Sequence, residues 1–159
     1  MHVVRIAGAL ALSLAFIPGA GAQGLVVPAT EKKIDALLAQ MTLEEKVGQL
    51  NQYSSAFDVT GPAPSAGAQK VMYDQVRQGL VGSVLNVTGA EATRKMQQLA
   101  VEGSRLKIPL IFGLDVIHGY RTMFPTPLGE AASWDPAAME QSARIAATEA
   151  AAAGLHWTF

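Results

Sequence analysis

The chain has 159 residues, 12 basic against 13 acidic, and a formal net charge of -1, with no cysteine. That length suits one domain of ordinary size, and the near-zero charge argues against a dedicated nucleic-acid binder, which shows a strong basic excess. The lack of cysteine excludes disulfides, cysteine nucleophiles, iron–sulfur clusters and thiolate zinc sites.

The chain is also apolar for a soluble domain: 50% of its residues are hydrophobic, 16% are charged, and its mean hydropathy is +0.23. Part of that excess lies in residues 1–22, which read as a secretory signal. His2 and Arg5 give a polar, positive start, residues 6–17 are an uncharged apolar run, and Ala20-Gly21-Ala22 offers small residues to a signal peptidase. The run is too short for a bilayer, which needs roughly 20 apolar residues. Removing it leaves 159 − 22 = 137 residues with a charge of 11 − 13 = -2. Gly19, Gly21 and Gly24 fit a dinucleotide-binding pattern, but no strand precedes them and they sit at the cleavage site, so the match is discarded.

Residues 23–29 are a short linker. Thr30 is placed to cap a helix whose apolar face is Ile34, Leu37, Leu38 and Met41. Thr42-x-x-Glu45 predicts a capping box at the start of a second helix, with Leu43, Val47 and Leu50 as its stripe and Glu44, Glu45 and Lys46 as a solvated face. Residues 54–67, rich in Ser, Gly and Pro, read as loop. Residues 68–78 predict a helix turning Met72, Val76 and Leu80 inward.

Residues 81–85 are a short β-favouring run, and residues 90–106 are helical again, with Ala92, Met96, Leu99 and Gly103 on one side. Residues 108–114 are apolar without alternation, the pattern of a strand buried on both faces of a parallel sheet; Pro109 fits only near its start. After a long loop, Asp135 and Pro136 open a helix as N-cap and first residue. That helix runs to about Ala153, Gly154 is its expected stop, and residues 155–159 predict a third strand. Strands alternating with helices imply an α/β fold with a parallel sheet and right-handed crossovers.

Ligands of such folds bind beyond the carboxyl ends of the strands, which selects Asn86 and, more strongly, Asp115. Asp115 follows the apolar Ile111-Phe112-Gly113-Leu114 directly. A charge at that rim is costly unless paired, and a pair of sugar hydroxyls could serve. A loop or helix cap, or an ion pair with Arg121, would account for it equally. His118 could orient Asp115 or simply bond to loop backbone, and Arg121 is either a ligand or a loop staple. Asp135 is best explained as a helix cap, and Glu130 has no special setting. A glycosidase needs two carboxylates about 5–10 Å apart, and no such pair can be nominated. No zinc-binding His-Glu-x-x-His, no Gly-x-Ser-x-Gly and no phosphate-binding loop is present. Asn86-Val-Thr88 is a short glycosylation sequon, and Trp134, Trp157 and Phe159 are read as core residues rather than sugar platforms.

Residues 106–129, LKIPLIFGLDVIHGYRTMFPTPLG, resemble glycoside hydrolase family 3, the periplasmic β-glucosidases in particular. Residues 41–50 are similar to the family's N-terminal helix motif, and residues 82–86 and 149–159 also match. The resemblance implies a (β/α)8 TIM-type barrel, here its first three or so strands with leading helices over residues 23–159, and a second α/β domain beyond. It implies a retaining mechanism without metal or cofactor, and a β-glucoside or oligosaccharide substrate. It gives Asp115 the role of binding hydroxyls of the non-reducing sugar, and His118 and Arg121 a role in supporting the loop. The family's nucleophile and acid/base come later than Phe159, so no carboxylate present inherits those roles. The chain is therefore expected to be an inactive N-terminal fragment of a periplasmic or secreted enzyme, free of the membrane after signal cleavage. A relative acting on xylose or N-acetylglucosamine, and a non-catalytic sugar-binding module, are the alternatives. The 137 mature residues compare with about 250 for a complete barrel.

Overall fold

The computed structural model describes residues 27–55 and 64–159. The expected signal segment and the discarded glycine pattern lie outside them. The described residues fall into two units, the first reaching Leu37 and the second running from Leu38 to Phe159.

The first unit holds most of α1 (Pro28–Leu38), which starts two residues before the expected cap. Pro28 has no N–H to satisfy at a helix start, and the Val27 carbonyl accepts from the amides of Thr30 and Glu31 instead. No residue of α1 is buried, and its apolar Ile34 and Leu38 are each 43% exposed.

In the second unit, α2 (Leu43–Gly48) begins with the capping box. The Thr42 hydroxyl accepts the Glu45 amide at 3.2 Å, and the Glu45 carboxylate accepts the Thr42 amide at 2.9 Å. The chain then enters β1 (Gln52–Ser54), a strand the sequence did not disclose. It is followed by α3 (Gly67–Arg77), β2 (Ser83–Leu85), α4 (Ala90–Gly103), β3 (Ile111–Leu114), a one-turn α5 (Pro127–Ala131), α6 (Pro136–Ala152) and β4 (Trp157–Thr158). Among the described residues the expected three strands are thus four, and the long loop contains a helical turn. Strand β3 starts at Ile111 rather than at residue 108. The amide and carbonyl of Leu110 are clamped by the Gln97 side chain at 2.7 and 3.0 Å, which takes them out of the sheet ladder.

The sheet is parallel throughout, in the order β1-β2-β3-β4. Its core lies against α3 and α4: Met72, Tyr73 and Val76 from α3, and Ala92, Met96 and Ala100 from α4, close on Val84 and Phe112. Tyr53 ties β1 to α3 through a 2.5 Å bond to Gln75. Alanines let α6 lie close, with Ser142, Ala146 and Ala150 buried at four-residue spacing.

Two backbone approaches fix the start of the sheet. A Cβ on Gly82 would stand 2.0 Å from the Gln49 carbonyl oxygen, and one on Gly48 would stand 2.5 Å from the Leu80 Cα. The end of α2 therefore rests directly on the backbone that leads into β2, which only glycine permits. Asn51 completes the seam: its carbonyl accepts the Gly82 amide at 3.1 Å, and its side chain donates to the Leu80 carbonyl at 3.0 Å.

Candidate functional site at the carboxyl ends of the strands

Register places the functional candidates at one end of the sheet. Ser54 pairs with Leu85, Leu85 with Gly113, and Leu114 with Thr158, so Ser55, Asn86 and Asp115 follow their strands on the same side. Asn86 takes a left-handed backbone, φ 67°. Its amide still reaches the Gly113 carbonyl at 3.1 Å, and its side chain donates to the Ser54 hydroxyl at 2.9 Å. An Asn tolerates this conformation better than a branched residue.

Asp115 directly follows β3 and is exposed. Its carboxylate forms no hydrogen bond or ion pair with another described residue, and the pair with Arg121 weighed from sequence does not form. Placement comes from the neighbouring backbone: the Val116 amide donates to the Thr158 hydroxyl at 3.1 Å. The rim of the sheet thus presents an acceptor with lone pairs unused by the described residues.

His118 does not meet Asp115. Its Nδ1 donates to the Phe124 carbonyl at 2.9 Å, and the Phe124 amide returns to the His118 carbonyl at 2.8 Å. Gly119 bridges Met123 within this closure, at φ 125°. A Cβ there would meet the Thr122 carbonyl oxygen at 2.0 Å, so the loop needs a glycine at this point.

Arg121 enters the network through its backbone. Its amide and that of Thr122 each donate to Glu149 Oε2 at 2.8 Å, and the Thr122 hydroxyl donates to Oε1 at 2.6 Å. Glu149 stands in α6, and these bonds hold its carboxyl below the usual carboxylate range, the Thr122 hydroxyl first and the two amides after it. Nothing in the sequence distinguished Glu149, because its partners are mainly backbone N–H groups that any residue supplies.

Asp135 caps α6 by accepting the amides of Ala137 and Ala138 at 3.1 and 3.0 Å. The aromatic residues read as core are not in it: Trp134 is 89% exposed, Phe159 65% and Trp157 46%. Trp157 and Phe159 meet edge to face at 4.8 Å. His156 also has a structural setting: its Nδ1 accepts the Phe112 amide at 3.0 Å and its ring stacks on that of Phe112.

Residues 42–159 match the glycosyl hydrolase family 3 N terminal domain, and the chain belongs to that family. It is 36% identical over 155 residues to the periplasmic beta-glucosidase of Salmonella typhimurium, covering 94% of this chain and 19% of that protein. It is 29% identical to the lysosomal beta glucosidase of Dictyostelium discoideum, over 79% of this chain and 18% of the relative. The crystal structure of the beta-glucosidase from Listeria innocua in complex with glucose superposes with a TM-score of 0.68 at 33% identity, over 81% of this chain and 18% of that one. The chain thus spans about a fifth of the length of the curated relatives it matches. Its four parallel strands and their helices are part of the TIM-type barrel of the family's N-terminal domain.

Proposed function

We propose that this chain forms the N-terminal part of the catalytic barrel of an exported β-glucosidase that removes terminal non-reducing β-D-glucosyl residues with retention. Asp115 holds hydroxyls of that terminal sugar, and His118 and Arg121 support the loop behind it. The observation that carries the reading is the Asp115 carboxylate itself, exposed at the carboxyl end of β3 with no partner among the described residues. A carboxylate accepts two hydroxyl hydrogen bonds side by side, the geometry that vicinal sugar hydroxyls offer. The β-glucosidase names of the relatives agree with it, and the signal-like residues 1–22 and the periplasmic relative support export to the periplasm.

Neither the nucleophile nor the acid/base is assigned to a residue of this chain, so the 159 residues alone are inactive in this reading. The test uses an aryl β-glucoside. The purified chain releases no phenol, whereas the product of the full reading frame does. Asp115→Ala in that product lowers kcat/KM on the order of 10²–10⁴-fold, the loss of two hydrogen bonds to a charged group. Hydrolysis by the short chain, or an Asp115→Ala enzyme as active as its parent, overturns the reading.

A further inference from the structure

We infer that Glu149 is a positioning residue for the sugar-binding carboxylate, fixing the loop of residues 116–124 to α6 and thereby setting where Asp115 stands. This rests on the reading of Asp115 given above. The side chain of Asp115 has no partner among the described residues, so its position is that of its backbone. On one side that backbone is β3, held in the sheet. On the other it runs into a segment closed on itself by His118 with Phe124 and by Gly119 with Met123. A self-closed loop keeps its shape but still needs an anchor.

Glu149 supplies one. Its carboxylate collects three donors from Arg121 and Thr122, all within 2.8 Å, and its own backbone is part of α6, where its carbonyl accepts the Ala153 amide at 3.2 Å. The ionised carboxylate suits this task because it has only acceptor sites and takes two amides and a hydroxyl at once. An Ala at 149 would remove the acceptor of all three at once. The freed amides of Arg121 and Thr122 lie in an exposed segment, where water replaces their partner at small cost to the fold. The loss is therefore one of placement rather than of stability, and misplacement of a substrate-holding group by an ångström is expensive.

The experiment uses the product of the full reading frame with an aryl β-glucoside and hydrogen–deuterium exchange. Glu149→Ala is expected to raise KM about tenfold while kcat stays within about twofold, and to speed exchange over residues 118–124. Thr122→Ser, which keeps amide and hydroxyl, stays at the parental KM, and Thr122→Val falls between. Glu149→Ala with unchanged exchange, or with faster exchange and an unchanged KM, overturns the inference. An Asp115→Ala enzyme with a parental kcat/KM overturns the reading of Asp115 and this inference with it, and is told apart because exchange in Glu149→Ala would still rise.

Discussion

Arg105 grips Glu45 from sixty positions further along the chain. Its Nε donates to Oε1 at 3.0 Å and its Nη2 to Oε2 at 2.5 Å, while Nη2 also reaches the Gln40 carbonyl at 2.8 Å. The same carboxylate closes the capping box on Thr42. One side chain thus joins the turn after α4 to the start of α2, and Glu45 belongs to a fork-shaped ion pair rather than to the solvated face expected for it.

That pairing gives a pH dependence with a definite sign. Arg105, and then the Thr42 amide, hold the Glu45 carboxyl below its ordinary value of 4.5. A carboxyl depressed by folding contributes stability above its unfolded value, and the contribution is lost as pH falls through the folded one. Arg105→Gln should therefore lower the thermal midpoint at pH 7, and the gap from the parent should shrink as the pH is taken well below 4.5. Melting followed by circular dichroism checks this; a gap that is the same at both ends of the range refutes it.

Gly82→Ala should destabilise the fold by about 1–3 kcal/mol or more, because overpacking against a rigid neighbour forces backbone to move. The obstacle is the Gln49 carbonyl oxygen, 2.0 Å from the new methyl, and no side-chain rotation relieves it. Urea unfolding reads the change as a lower midpoint.

Met96 is fully buried between α4 and the sheet, among Val84, Phe112 and Met72. Met96→Ala should cost about 2–5 kcal/mol, the transfer loss plus the cavity it leaves. Met96→Leu, nearly equal in volume, should cost less than about 1.5 kcal/mol. The same unfolding measurement separates the two.

At the head of α6, Asp135→Ala removes the acceptor for two helix amides and should cost about 1 kcal/mol. Asp135→Asn keeps an acceptor oxygen and should retain most of the stability. A comparable loss in both variants would show that the cap works through charge and not through geometry.

Features whose cause is local were legible from the residues alone. The capping box at Thr42 and Glu45, the Asp135 cap, the Gly154 stop at φ 87° and the burial of Met72, Val76, Ala92 and Met96 all follow from spacing. Strand β1 left no such signal, since Gln52, Tyr53 and Ser54 make a three-residue strand with only Tyr53 partly buried, and its partner lies thirty-one residues on. Asp115 could be singled out by its place after an apolar strand, but whether His118 or Arg121 met it depended on a loop path that no periodicity encodes. The path turns on Gly119 and on Glu149, whose bonds run mainly to backbone.

The order β1-β2-β3-β4 also bears on how the chain comes to be built. Each described strand after β1 pairs with the one synthesised just before it, at separations of 31, 28 and 44 residues by register. None of the described strands has to hold a place open for a later arrival to be inserted between two earlier ones. A chain emerging from the ribosome can add each strand to the growing edge as it appears, with its covering helix already made. Folding of this segment can therefore keep pace with translation, which limits the time its hydrogen-bonding edge is offered to other molecules.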